Sequence, residues 1–198
     1  MKGVFITIYG INNIGKSTHS RLLVERLEKE GHDSIFIKYP VYNLEPTGPK
    51  IDEILRGHDK QPISEEELQT LFMQNRKDFE PTLREYLEEG KIVVAEDYTG
   101  TGIAWGTAKG LKQEWLEDLN SGLLKEDFSI LMIGRRKFSS KEYQHLHESD
   151  DELVMSVDKI LRRLADEKDW HKVDVQENIV DTAALVWTEV ENFLRNFQ

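Results

Sequence analysis

Short apolar runs recur along this chain, and each is followed by a longer stretch whose apolar residues return every three or four positions. The runs Gly3–Tyr9, Ser34–Tyr39, Lys91–Glu96, Phe128–Ile133 and Lys172–Val175 read as strands. The stretches Lys16–Glu30, Ser149–Lys168 and Ile179–Asn196 read as helices. The mostly apolar composition of Lys91–Glu96 predicts a parallel strand covered on both faces. A β-α unit repeated about five times predicts an α/β fold with a parallel five-stranded sheet and helices on both faces. In such sheets ligands bind at the carboxyl ends of the strands.

Turn chemistry refines the middle of the chain. Pro40 stops the second strand, and Pro46, Gly48 and Pro49 predict a loop before a short helix over Ile51–Arg56. Ser64 with Glu67 forms a capping box that opens a helix carrying Leu68, Leu71 and Phe72. Pro81 predicts a break, with a second helix over Thr82–Glu89 that ends at Gly90. Thr99–Gly102 reads as a turn, Ile103–Lys109 as a helix, and Gln113–Asn120 as a further helical patch. No repeat or long linker divides the sequence, so residues 1–198 are expected to form a single domain.

The chemistry concentrates at the first strand-to-helix junction. Gly10-Ile11-Asn12-Asn13-Ile14-Gly15-Lys16-Ser17-Thr18 fits the phosphate-loop pattern G-x-x-x-x-G-K-[ST], with a strand before it and a helix after it. Backbone N–H groups of such a turn point inward, and the helix dipole adds positive potential at the same place. Lys16 would reach the terminal phosphates of a nucleotide as a point charge, Ser17 would ligate Mg²⁺, and Thr18 would sit in the first helical turn. Set against this is an ordinary glycine turn capped by Ser17.

Net charge and composition narrow the partners. A formal charge of −11 disfavours a nucleic-acid polymer, which needs a net positive field, but leaves room for a small anion held by local cations. The chain has no cysteine, hence neither disulfides nor thiolate metal ligands. The N-terminus runs straight into the first strand, so no signal peptide is expected, and no apolar run reaches membrane-spanning length. A soluble, cytoplasmic protein is the expectation.

Three further segments carry candidate chemistry. Glu96, Asp97 and Tyr98 follow the third strand, where adjacent carboxylates opposite Ser17 suit a hard cation, the alternative being solvated acids in a loop. Phe72 and Arg76 are four apart on one helix face, so a ring and a guanidinium could together stack on a base and bond its edge; equally, Phe72 could be core and Arg76 could pair with Glu80. Arg135 and Arg136 follow the fourth strand and could neutralise nucleotide phosphates from a polar lid over about residues 135–151, or belong to a solvated loop. His145, His147 and Glu148 within that stretch make a poor metal site without a further obvious ligand.

Taken together these segments resemble the thymidylate kinase family of nucleoside monophosphate kinases over nearly the whole chain. The phosphate loop at Gly10–Thr18 resembles the family's ATP site, Phe72 with Asn75-Arg76 its base-binding helix, and Glu96-Asp97-Tyr98 followed by Gly102-Ile103-Ala104 its D-R-[YH] block and small-residue turn. The resemblance implies a P-loop NTPase-type three-layer fold, phosphorylation of a nucleoside monophosphate (dTMP to dTDP) by ATP with Mg²⁺, and a homodimer. It places Lys16, Arg135 and Arg136 in catalysis. The metal falls to Ser17, Glu96 and Asp97, and the acceptor to Phe72, Arg76, Asp97, Tyr98 and Gly102.

Two positions depart from the family pattern. Asn12 stands where an acid usually contacts the acceptor, and Asp97 stands where an arginine usually holds the acceptor phosphate. The second change reverses a charge at a place where an attraction is worth about 4 kcal/mol at an effective dielectric near 20. Lys38, Lys50 or a lid cation could compensate, or the acceptor could be another small molecule, or the chain could bind nucleotide without catalysis. A GTPase is a further rival through Asp97-Tyr98-Thr99-Gly100, which fits D-x-x-G, although no [NT]-K-x-D element follows.

Overall fold

The computed structural model describes residues 3–56, 61–134 and 151–197. Its elements in order are β1 (Val4–Tyr9), α1 (Lys16–Lys29), β2 (Ser34–Lys38), α2 (Thr47–Arg56), α3 (Glu65–Glu88), β3 (Ile92–Glu96), α4 (Thr99–Ala108), α5 (Gln113–Asn120), β4 (Phe128–Ile133), α6 (Asp151–Glu167), β5 (His171–Asp174) and α7 (Ile179–Asn196). The strands form one parallel sheet in the order β2-β3-β1-β4-β5. Helices α1 and α7 pack together, and so do α3, α4 and α6, which gives the sheet a helical layer on each face.

Burial explains which strands are central. Every residue of β1 and β3 is buried, as expected for apolar strands with neighbours on both edges and helices above and below. Phe5, Ile8, Val93, Val94 and Leu131 from the sheet meet Leu27, Leu83, Val157 and Leu161 from the helices in one core. A smaller cluster of Ile51, Ile54, Leu55 and Leu68 clamps α2 onto α3, with Tyr42 and Phe72 at its margin. Leu27→Ala, at a fully buried position of α1, is expected to cost about 2–5 kcal/mol and to lower the melting temperature by roughly 5–15 °C in a thermal unfolding scan.

The structure corrects three local expectations. Helix α3 runs unbroken through Pro81. Proline removes the bond to the carbonyl four residues back, here on Lys77, and its ring crowds that carbonyl, but both residues lie on the exposed side, where the carbonyl can tilt out to water. Helix α2 begins at Thr47, so Gly48 and Pro49 belong to its first turn, where a missing N–H costs nothing. The stretch Thr99–Gly102 is the first turn of α4 rather than a separate turn. Among the described residues no helix is long and apolar enough to cross a membrane.

Candidate active site

The strand register brings the site together. Ile8 of β1 and Lys38 of β2 are the Cα partners of Glu96 on either side of β3, so three strands end level at the carboxyl edge of the sheet. The loop Gly10–Gly15 leaves β1 there and closes onto the N-terminus of α1. Gly15 is the N-cap of α1 and holds φ at 105°, a left-handed conformation that a side chain would strain. Ile11 and Ile14 anchor the loop in the core. Below it, the Tyr9 ring stacks on Trp170 at 4.2 Å, and its hydroxyl donates to Glu126 at 2.6 Å.

Lys16 is only 6% exposed and curls over its own loop. Its Nζ donates to the carbonyls of Gly10 at 2.9 Å and Ile11 at 3.1 Å, and stands 3.7 Å from Asp97 Oδ2. Asn12, Asn13, Ile14, Gly15, Ser17 and Thr18 line the same cavity. The loop thus gathers inward-facing polar groups around one cation at a helix N-terminus, which suits a polyphosphate.

At the end of β3 the two carboxylates have different surroundings. Glu96 is buried; its Oε1 pairs with Lys38 Nζ at 3.1 Å, while its Oε2 is buried with no hydrogen-bond partner. Asp97 holds a left-handed φ of 61° and accepts a hydrogen bond from the Thr101 hydroxyl at 2.7 Å. Burial pushes the Asp97 carboxyl above the usual range, Lys16 opposes that shift, and neighbouring Glu96 reinforces it. Ser17, Glu96 and Asp97 line one cavity, and with the buried Glu96 oxygen that has no hydrogen-bond partner they make an oxygen-only donor set of the kind that fits Mg²⁺.

The raised Asp97 pKa has a signed consequence. The folded state holds the proton more tightly than the unfolded state, so stability falls as pH rises from the unfolded value, about 3.9, through the higher folded one. Asp97→Asn keeps an acceptor for Thr101 and removes the charge. It is expected to raise the melting temperature at neutral pH and to approach the wild type well below the ordinary aspartate range, where the carboxyl is protonated in the folded and the unfolded chain alike. Parallel melting curves against pH check this; equal curves at neutral pH would refute it.

The far end of the cavity is built from α3 and α4. Phe72, Arg76 and Gln69 share one face of α3, opposite Gly102 and Trp105 of α4. Arg76 is buried and does not pair with Glu80, which instead bonds Arg84 at 2.9 Å. Its Nη2 donates to Asn120 Oδ1 at 2.9 Å and its Nη1 to the Tyr98 carbonyl at 3.4 Å, leaving Nε buried without a partner. A Cβ on Gly102 would stand 3.0 Å from Gln69 Oε1 and 3.3 Å from Arg76 Nη2, so glycine is what admits these two groups here. The ends join in one cavity of about 500 Å³.

Tyr98 lines the cavity but serves chiefly as core: its ring meets Phe5 edge-on at 5.0 Å and Tyr39 at 5.1 Å. Gly100 lies within the first turn of α4 and not in a loop of the kind that a D-x-x-G reading requires. Arg135 and Arg136, the lid over about 135–151, and His145, His147 and Glu148 lie outside the described residues.

Several site residues leave little trace in the sequence. Gln69 carried a signal, since 69, 72 and 76 follow helical spacing, but Asn120 and Thr101 carried none. Asn75 ties the segment after β2 to α3: its Oδ1 accepts from Val41 N at 2.8 Å, and its Nδ2 donates to Val41 O at 3.1 Å and Thr47 Oγ1 at 3.0 Å.

A five-stranded parallel sheet with a glycine-bounded phosphate loop after its central strand, and an acid-ended strand beside it, places the chain among the P-loop kinases. The family model described as thymidylate kinase matches residues 8–186. The chain belongs to the thymidylate kinase family. It is 27% identical to protein 251L of Invertebrate iridescent virus 6 over 99% of this chain and 90% of that one. It is 27% identical to the thymidylate kinase of Schizosaccharomyces pombe over 81% of this chain and 75% of that one. The solved thymidylate kinase of Candida albicans superposes with a TM-score of 0.83 at 22% identity, covering 96% of this chain and 92% of that one, a likeness of fold.

Proposed function

We propose that this protein transfers the γ-phosphoryl group of ATP to the phosphate of thymidylate, with Mg²⁺, giving dTDP and ADP. The observation that carries this reading is the single cavity in which the phosphate loop faces Phe72, Arg76 and Gln69. The triphosphate rests on the loop amides and Lys16. The thymine ring lies on Phe72, with Arg76 and Gln69 at its edge. An acceptor phosphate oxygen attacks the γ-phosphorus in line, and the bond to the β-bridging oxygen breaks, with its electrons leaving on ADP. The acceptor is already an anion, so no general base is required, and positioning and charge neutralisation supply the catalysis. Ser17, Glu96 and Asp97 would hold Mg²⁺, which would supply positive charge against the donor's phosphates. Arg135 and Arg136 are proposed to add positive charge from the lid. The proposal includes a single domain, a cytoplasmic setting and a homodimer.

One observation favours a second reading. The Asp97 carboxylate lies 3.7 Å from Lys16, where a dianionic acceptor would meet repulsion. A kinase with a different small-molecule acceptor, or a nucleotide-binding relative without catalysis, accommodates that carboxylate. The test is ADP formation from ATP and Mg²⁺ with dTMP, other nucleoside monophosphates and nucleosides. Turnover of dTMP above the rest supports the proposal. Turnover of another acceptor alone supports the first alternative, and silence on all with ATP still bound supports the second.

A further inference from the structure

The geometry points to Lys38 as the residue that receives the acceptor's phosphate and so distinguishes a nucleotide acceptor from its nucleoside. This inference rests on the thymidylate reading and adds a recognition group on the β2 side of the cavity. Lys38 is the last residue of β2 and the Cα partner of Glu96, level with the end of the strand that launches the phosphate loop. Its side chain is 47% exposed and lines the cavity between the loop and the base-facing end. An acceptor whose base lies on Phe72 and whose phosphate points at Lys16 must carry that phosphate past the row formed by Lys38, Glu96 and Asp97.

The other cations lining this cavity have different placements. Lys16 donates to the carbonyls of Gly10 and Ile11 on the donor side. Arg76 is buried at the base end and bonded to Asn120 and Tyr98. Lys109 pairs with Glu65 at 2.7 Å, and Arg56 pairs with Asp52 at 2.8 Å, in both cases away from the strand ends. Lys38 alone among these five stands on the carboxyl edge of the sheet beside Glu96. With Glu96 and Asp97 both acidic there, Lys38 is the cation on the β2 side that offsets their charge toward an arriving dianion.

The division of Glu96 completes the arrangement. Oε1 holds Lys38 at 3.1 Å, and Oε2 is buried without a hydrogen-bond partner. One carboxylate thus steers the lysine with one oxygen and leaves the other for a cation near the donor phosphates. Asn75 clamps Val41, three residues beyond Lys38, to the helix that carries Phe72 and Arg76. The distance from base to phosphate is therefore set by contacts within one rigid unit.

The test is calorimetric titration of the wild type, Lys38→Met and Lys38→Arg with dTMP, with thymidine and with ATP. Thymidine offers the same base and deoxyribose without the phosphate. Lys38→Met is expected to weaken dTMP binding roughly 10- to 100-fold, with thymidine and ATP unchanged, and Lys38→Arg to retain most of the affinity. Three results overturn the inference: unchanged dTMP affinity in Lys38→Met, equal weakening of dTMP and thymidine, or a wild type that binds dTMP no tighter than thymidine. Turnover of dTMP by the wild type is scored separately. Binding through Lys38 without ADP formation would defeat the proposed reaction and keep the inference, and turnover with dTMP affinity indifferent to Lys38 would do the reverse.

Discussion

Lys16→Ala is expected to lower the rate of phosphoryl transfer by roughly 10²–10³-fold or more, with the fold intact. Lys16 is the cation of the phosphate loop, 6% exposed, with its ammonium held by the Gly10 and Ile11 carbonyls. Electrostatic stabilisation grows where water is excluded, because the effective dielectric is low and the charge needs no reorganisation during the reaction. The substitution leaves two loop carbonyls without that donor and Asp97 without its ion-pair partner. Circular dichroism and a melting curve on the same sample separate this structural cost from the catalytic one. A folded variant with wild-type turnover would contradict the role of Lys16.

Glu96→Gln tests the metal assignment. The amide keeps the volume and can still accept from Lys38, but it removes the charge from the oxygen that has no protein partner. The free Mg²⁺ needed for half-maximal rate is expected to rise roughly 10- to 100-fold, the range seen when a group that supports a bound metal is lost. Saturating Mg²⁺ should recover part of the rate. Initial rates across a Mg²⁺ series give the answer, and an unshifted midpoint would remove Glu96 from the metal site. Lys38→Met is the companion variant: it should weaken dTMP binding while keeping the Glu96 charge, so a large rise in the Mg²⁺ midpoint belongs to Glu96→Gln alone.

Much of the architecture was legible because it is written in local chemistry. Apolar runs and helical spacing located all five strands, and Ser64 with Glu67 forms the capping box that opens α3, each side chain bonding the other's backbone N–H. Pro81 does not end the helix because its local cost, a lost hydrogen bond and a crowded carbonyl, is absorbed by a long helix packed along its length. Phe72 and Arg76 were placed together by spacing, yet the pairing of Arg76 with Glu80 did not form. Burial selected Asn120, which lies 44 residues away in sequence and approaches only when α5 packs against α3.

The amino-acid sequence by itself determined the phosphate loop, the α/β class and the acids that end β3, because each depends on neighbours a few residues apart. Tertiary structure decided which charges face one another. Lys38, Glu96 and Asp97 acquired their partners only when parallel strands aligned their carboxyl ends, with Lys38 and Glu96 in register and Lys16 arriving from α1. Strand order brings together residues far apart in the chain, such as Lys16 and Asp97, which are 81 positions apart, and long-range pairing of that kind leaves no periodic trace in the sequence.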